Sequence, residues 1–155
     1  DRLAEEVRGR VTGALLDFGG NVYAVGCKPD GSAFRVGVRD PWNTATQRAI
    51  INVEDKTVVT SGTYERYFEL DGVTYHHILD PQTGSSAVTD LVSATIVSES
   101  SMDADAFATA CIVLGREKAM AMLEANGLDG LLIDVDGNVY PTSALAEHYP
   151  LTIMD

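Results

Sequence analysis

Turn signals divide the first two thirds of the chain into short apolar segments that are rich in β-branched residues. Asp71-Gly72 lies between RYFEL and VTYHHI, and Asp-Gly is a preferred centre of a two-residue hairpin loop. The other apolar segments, GALLDF, VYAVGC, AFRVGVRD, RAIINV and TVVTSG, are separated by the turn sequences GGN, PDG and EDK. This pattern predicts consecutive β-hairpins, preceded by a short helix over residues 2–10.

The pattern changes after the β-branched segment LVSATIVS. SMDADAFATACIVLG predicts a helix that begins at Ser100 or Ser101 and ends at Gly115. REKAMAMLEANG predicts a second helix ending at Asn126-Gly127, and GLLIDVDGNVY predicts a last hairpin that turns at Asp136-Gly137. We therefore predict an α+β fold in which an antiparallel sheet of consecutive hairpins is covered on one face by a helix pair.

Length and charge restrict the function. The length of 155 residues predicts a single domain, residues 1–155. The sequence contains no run of 18 apolar residues, so we predict no membrane-spanning helix. The 23 acidic residues outnumber the 11 basic ones, giving a net charge of −12, so we predict no nucleic-acid binding. An acidic protein that handles phosphate groups needs a metal ion to mediate the contact.

Asp105 and Thr109 are four residues apart in the first predicted helix and therefore share a face. The flanking residues predict that this face is semi-buried, where a carboxylate is costly without a partner. A carboxylate and a hydroxyl at this spacing offer two oxygens to Mg²⁺. The alternative is that Asp105 only complements the positive end of the helix dipole.

Two adjacent histidines end the segment YHHILDPQTG. Strand alternation sends His76 and His77 to opposite faces, so at most one of them can face a given site. Histidine is the side chain best suited to act as a general base near neutral pH. The alternative is that both rings only contribute to packing, and that DPQTG is only a turn.

Taken in order, six segments resemble the ApbE family of FAD:protein FMN transferases: LLDFGGNVYAVG, FRVGVRDP, TVVTSGTYERYF, YHHILDPQTG, VSATIVSESSMDADAFATACIVLG and GLLIDVDGNVY. The resemblance implies an α+β architecture with a T-fold-type unit. It also implies an enzyme that uses Mg²⁺ and FAD, joins FMN to a Thr or Ser of an acceptor protein, and releases AMP. The acceptor protein and FAD are thus the implied partners.

The resemblance also implies roles for individual residues. Asp105 and Thr109 match the metal-binding pair of the family, with a backbone carbonyl near Ala108 as a further ligand. His77 matches the histidine of the family's H-I-x-D-P-x-T-G block and is the implied base on the acceptor hydroxyl. Ile78 matches a position that touches the flavin nucleotide, and the DPQTG turn is expected to form a wall of that site.

The matching blocks correspond to the C-terminal half of family members. We therefore expect the chain to lack the N-terminal half of the FAD site. Three alternatives stay open: FAD pyrophosphatase activity, a non-catalytic flavin-binding module, and a homo-oligomer in which another chain completes the site. Family members are often exported lipoproteins, but the chain carries no signal that would assign a compartment.

Overall fold

A computed structural model describes residues 1–154. The elements, in chain order, are α1 (Arg2–Val7), β1 (Gly13–Asp17), β2 (Asn21–Gly26), β3 (Phe34–Arg39), β4 (Gln47–Val53), β5 (Thr57–Gly62), β6 (Tyr67–Leu70), β7 (Val73–His76), β8 (Leu91–Ser98), α2 (Ser101–Leu114), α3 (Arg116–Ala125), β9 (Asp129–Asp134), β10 (Val139–Pro141), α4 (Ser143–His148) and β11 (Leu151–Ile153).

The strands form three antiparallel sheets, which confirms the predicted α+β class. The large sheet has six strands in the order β1-β2-β5-β8-β9-β10, the small sheet has the order β11-β4-β3, and β6 pairs only with β7. The hairpins β1–β2, β6–β7 and β9–β10 form as predicted. The element β11, which the sequence pattern did not predict, pairs with β4.

The predicted hairpins across the PDG and EDK turns are wrong, because each of these turns joins two strands of different sheets. β4 lies in the small sheet beside β3, whereas β5 lies in the large sheet between β2 and β8. The two sheets pack face to face, and Val38, Ile51 and Val58 are buried between them. Alternation of apolar residues specifies which face of a strand is buried, but it does not specify the neighbouring strand.

The helix pair covers the opposite face of the large sheet, as predicted. Ile112 of α2 and Leu123 of α3 are fully buried against Ile96 and Leu132 of that sheet. Ser100 caps α2 by accepting a hydrogen bond from the Asp103 amide, and Gly115, with φ of 76°, ends the helix. None of the helices in residues 1–154 is both long and apolar enough to cross a membrane.

Helix α1 is shorter than the predicted span of residues 2–10. It ends at Val7, and Gly9 has φ of 79°, a left-handed backbone conformation that interrupts a right-handed helix. Ala4 of α1 packs with Tyr23 and Val25 of β2 in a separate small core.

Candidate active site

Helix α2 is attached to β5 by two hydroxyl pairs. The Ser101 hydroxyl donates to Thr57 Oγ1 at 3.0 Å, and the Ser61 and Thr109 hydroxyls lie 3.1 Å apart. Eight residues of helix rise roughly 12 Å and four residues of strand rise roughly 13 Å, so the two pairs are in register. This match fixes the axial position of Thr109 relative to the strand.

The start of α2 is held by a second contact. The Asp1 carboxylate accepts a hydrogen bond from the Ser101 amide at 2.8 Å and one from the Met102 amide at 3.4 Å. Ser100 caps the Asp103 amide at 3.2 Å. Together these acceptors satisfy three of the amides that a helix leaves free at its N-terminus.

Asp105 and Thr109 lie on an exposed face of α2, so the predicted semi-buried environment is wrong. Both side chains point away from the core that holds Ala104, Ala108 and Ile112. The structure gives the Asp105 carboxylate no hydrogen bond or ion pair within residues 1–154, and the Thr109 hydroxyl contacts only Ser61.

The adjacent histidines separate as alternation predicts. His77 is exposed and its Nδ1 lies 3.3 Å from the Arg66 carbonyl oxygen, which also accepts the His77 amide at 3.1 Å. His76 is half-buried, and its Nε2 lies 3.0 Å from the Ala87 carbonyl oxygen. Because a carbonyl oxygen only accepts, this contact favours the neutral tautomer that carries its proton on Nδ1, in which Nε2 is the acceptor.

His77, Asp105 and Thr109 line one open cavity of about 340 Å³. The other residues that line it are Phe18, Gly19, Asn21, Thr60, Ser61, Gly62, Glu65 and Arg66. The cavity is thus bounded by the β1–β2 turn, the end of β5, the start of β6, the end of β7 and the middle of α2. A smaller cavity of about 220 Å³, at the edge of β3, contains none of the predicted site residues.

The oxygen atoms along α2 suit a hard cation. An unpartnered carboxylate and a hydroxyl one helical turn apart are ligands that Mg²⁺ accepts, with waters and phosphate oxygens in the remaining positions. Within residues 1–154, no group of three or more His, Cys, Asp or Glu side chains is placed to hold a metal.

Cys111 lies on the same helix but cannot supply a nucleophile. Its side chain is fully buried, and burial raises the pKa of the thiol to about 12. The reactive thiolate is therefore negligible at neutral pH.

Ile78 and the DPQTG turn remain predictions as parts of the nucleotide site. The Ile78 side chain is 4% exposed and packs in the core under α2, whereas the neighbouring Leu79 is 54% exposed. The turn is closed on itself, because Asp80 accepts hydrogen bonds from the amides of Gln82 and Gly84 at 2.8 Å. None of residues 80–84 lines the cavity.

Two turns contribute most of the cavity lining that the sequence pattern did not single out. Phe18, Gly19 and Asn21 come from the DFGGN turn, and Glu65 and Arg66 follow Gly62. The only local signal for these lining residues was the presence of polar residues and glycines beside the ends of predicted strands. Turn composition alone could not indicate that both turns lie at the same end of the large sheet.

Comparison with known proteins gives one consistent family. A family model described as the ApbE family matches residues 1–139. The chain is 46% identical over 144 residues to the FAD:protein FMN transferase of Treponema pallidum, covering 86% of this chain and 40% of that protein. It is 33% identical over 129 residues to that of Escherichia coli K12, covering 83% of this chain and 37% of that protein.

Solved structures of similar proteins have the same fold. The ApbE protein of Thermotoga maritima has a TM-score of 0.80 and 34% identity, covering 87% of this chain and 44% of that one. The Vibrio cholerae flavin transferase ApbE has a TM-score of 0.81 and 33% identity, covering 95% of this chain and 48% of that one. The chain thus spans less than half the length of the relatives it matches.

Proposed function

The chain belongs to the ApbE family, and from this premise we propose that it forms part of a Mg²⁺-dependent FAD:protein FMN transferase. The proposal concerns the full-length protein, because the chain spans 40% of the Treponema pallidum relative. The observation that carries it is the cavity in which His77 of one element and Asp105 and Thr109 of another come together.

The proposed reaction breaks the phosphoanhydride bond of FAD and forms a phosphoester bond to the acceptor. The hydroxyl oxygen of an acceptor Thr or Ser attacks the phosphorus on the FMN side of the FAD pyrophosphate. The bond from that phosphorus to the bridging oxygen breaks, and AMP leaves with the bridging oxygen. The acceptor loses one proton in the process, and no electrons are transferred.

His77 is the proposed base that removes this proton. The contact with the Arg66 carbonyl oxygen favours the Nδ1–H tautomer, in which Nε2 of this exposed ring presents a lone pair. A positioned base at this point raises the nucleophilicity of the hydroxyl as the bond to phosphorus forms. The backbone hydrogen bond from the His77 amide to the same carbonyl limits the movement of the ring.

Asp105 and Thr109, with the backbone carbonyl of Ala108, are the proposed ligands of Mg²⁺. When bound, the ion supplies positive charge to the phosphate oxygens, on which negative charge increases during transfer. The Asp105 carboxylate has no competing partner within residues 1–154, so its charge is available to a cation. The Ser61 hydroxyl orients that of Thr109.

Arg66 is the only Lys or Arg among the residues that line the cavity. The neighbouring Glu65, which also lines the cavity, forms an ion pair with Arg39 at 3.1 Å. The Arg66 guanidinium has no hydrogen bond or ion pair within residues 1–154. A guanidinium matches phosphate oxygens in geometry as well as in charge. Arg66 therefore adds a permanent positive charge near the proposed pyrophosphate position in a protein of net charge −12.

Incubation of the full-length protein with FAD, MgCl₂ and a candidate acceptor protein tests the proposal. We expect equal amounts of AMP and of acceptor that carries FMN on one threonine, measured by chromatography and mass spectrometry. The matched control is the same acceptor with that threonine changed to alanine, which should remain unmodified.

Other outcomes would favour the alternatives. AMP and free FMN without modified acceptor would indicate an FAD pyrophosphatase, in which water takes the place of the hydroxyl. FAD binding without release of AMP would indicate a non-catalytic flavin-binding module. Either result would contradict the transferase proposal.

A further inference from the structure

The two-stranded ribbon formed by β6, β7 and the flanking residues Arg66 and His77 has one apolar face that is open to solvent. Phe68 pairs with Tyr75 and Leu70 pairs with Val73 across the ribbon, so these four side chains point to the same side. Their exposed fractions are 61% for Phe68, 56% for Leu70, 49% for Val73 and 37% for Tyr75. We name this set the apolar ribbon face.

The apolar ribbon face is continuous with the cavity. The hydrogen bond from the His77 amide to the Arg66 carbonyl extends the ladder by one pair beyond Tyr67 and His76. This hydrogen bond places Arg66 and His77 at the open end of the ribbon, directly beyond Tyr67 and His76. One surface therefore runs from the Asp71-Gly72 turn to the proposed base.

We propose that the apolar ribbon face is the docking surface for the acceptor protein. This inference rests on the proposed transferase function, because the acceptor hydroxyl must reach His77 from the solvent side. A polypeptide that delivers a hydroxyl to the base at one end of this surface also contacts the surface beside it. Such a surface must be accessible before the acceptor binds, and the four side chains of the apolar ribbon face are exposed to solvent.

The chemistry of the surface indicates the kind of acceptor segment that fits. Stacked aromatic rings, here Phe68 and Tyr75 with centroids 5.2 Å apart, are typical of protein interfaces. Neither β6 nor β7 pairs with any other strand in residues 1–154, and a ribbon of two strands gains stability from an apolar partner. We expect aliphatic side chains near the acceptor Thr or Ser, and no acidic ones opposite Asp71 at the turn of the ribbon.

The test is the full-length double variant Leu70→Ser with Val73→Ser, assayed with the acceptor protein that the unaltered enzyme modifies. We expect the KM for that acceptor to rise by roughly 30-fold or more, the effect of losing an interface hot spot. The affinity for FAD and the melting temperature should not change. The matched control is Ile153→Ser, which removes an apolar side chain that is 48% exposed on the small sheet.

Three outcomes would overturn the inference. An unchanged KM for the acceptor would show that the surface does not bind it. A lower melting temperature with weaker FAD binding would show that the rest of the full-length chain covers the face. Loss of a dimer in size-exclusion chromatography would assign the face to a second copy. Absence of transfer by the unaltered enzyme would instead remove the proposed function, and this inference with it.

Discussion

The two sides of the cavity are built in different ways. On one side, Asp105 and Thr109 project from a 14-residue helix whose inner face is fully buried against the large sheet. On the other side, Arg66 and His77 lie at the base of a two-stranded ribbon in which every strand residue except His76 is exposed. The helix residues are positioned by a core, and the ribbon residues mainly by a backbone ladder.

This difference corresponds to the two tasks of the proposed reaction. A cation and the pyrophosphate that it binds need fixed ligands, because charge stabilisation depends on preorganised groups. The acceptor is a separate protein that must enter and leave, so the base beside it must lie on an accessible surface. The comparison can be tested by substitutions on each side.

The largest expected effect is that of Asp105→Asn on the helix side. The substitution removes the negative charge that the proposed Mg²⁺ requires, so Mg²⁺-dependent release of AMP should fall below detection in the full-length protein. The melting temperature should stay the same, because Asp105 is exposed and without a protein partner. Asp103→Asn on the same helix is the matched control, and activity in Asp105→Asn equal to that of the control would remove the metal assignment.

His77→Ala should have the next largest effect. Loss of a positioned base should slow FMN transfer by about 10²–10⁴-fold, while FAD binding is retained. The control is His148→Ala, at a residue of α4 that does not line the cavity, and this variant should transfer FMN at nearly the unaltered rate. A transfer rate for His77→Ala within a factor of two of the unaltered protein would indicate a packing role for the ring.

The free energy of unfolding should also be more sensitive to substitutions on the helix side than on the ribbon side. Ile112→Ala removes buried methyl groups under α2 and should lower the free energy of unfolding by about 2–5 kcal/mol. Leu70→Ala on the ribbon, where the side chain is 56% exposed, should change it by no more than about 0.5 kcal/mol. Urea denaturation of both variants measures the difference, and equal losses would contradict the distinction between core and ribbon.

The smallest expected effect is that of Ser100→Ala. Removing the side-chain cap of α2 should cost about 1 kcal/mol of stability. The transfer rate at saturating Mg²⁺ should change little, because the Asp1 carboxylate and the Ser101–Thr57 hydroxyl pair still hold the helix. A large loss of activity would show that the cap, rather than the strand contacts, positions Asp105.

The sequence predicted local structure better than strand partners. The Asp71-Gly72 and Asp136-Gly137 turns gave their hairpins, and Ser100 and Gly115 gave the ends of α2, because each depends on nearby backbone geometry. The crossing from β4 to β5 between sheets depends on packing of faces far apart in the chain, which no turn sequence encodes.

For the candidate site, too, the sequence predicted local features better than features that depend on tertiary packing. The spacing of Asp105 and Thr109 placed them on one face correctly, yet the apolar composition around them predicted burial on the exposed face of α2. Alternation separated His76 from His77, but only the resemblance to the ApbE family selected His77. Arg66 was not predicted, because its place beside His77 arises from the ribbon register.

The central claim is that the helix side and the ribbon side of the cavity form one site. A crystal structure of the full-length protein with FAD and Mn²⁺ tests this claim most directly, because the anomalous signal of Mn²⁺ locates the ion. We predict one Mn²⁺ bound by Asp105 and Thr109, with the FAD pyrophosphate between that ion and His77. An ion bound by other carboxylates, or a pyrophosphate outside the cavity that His77 lines, would contradict the account.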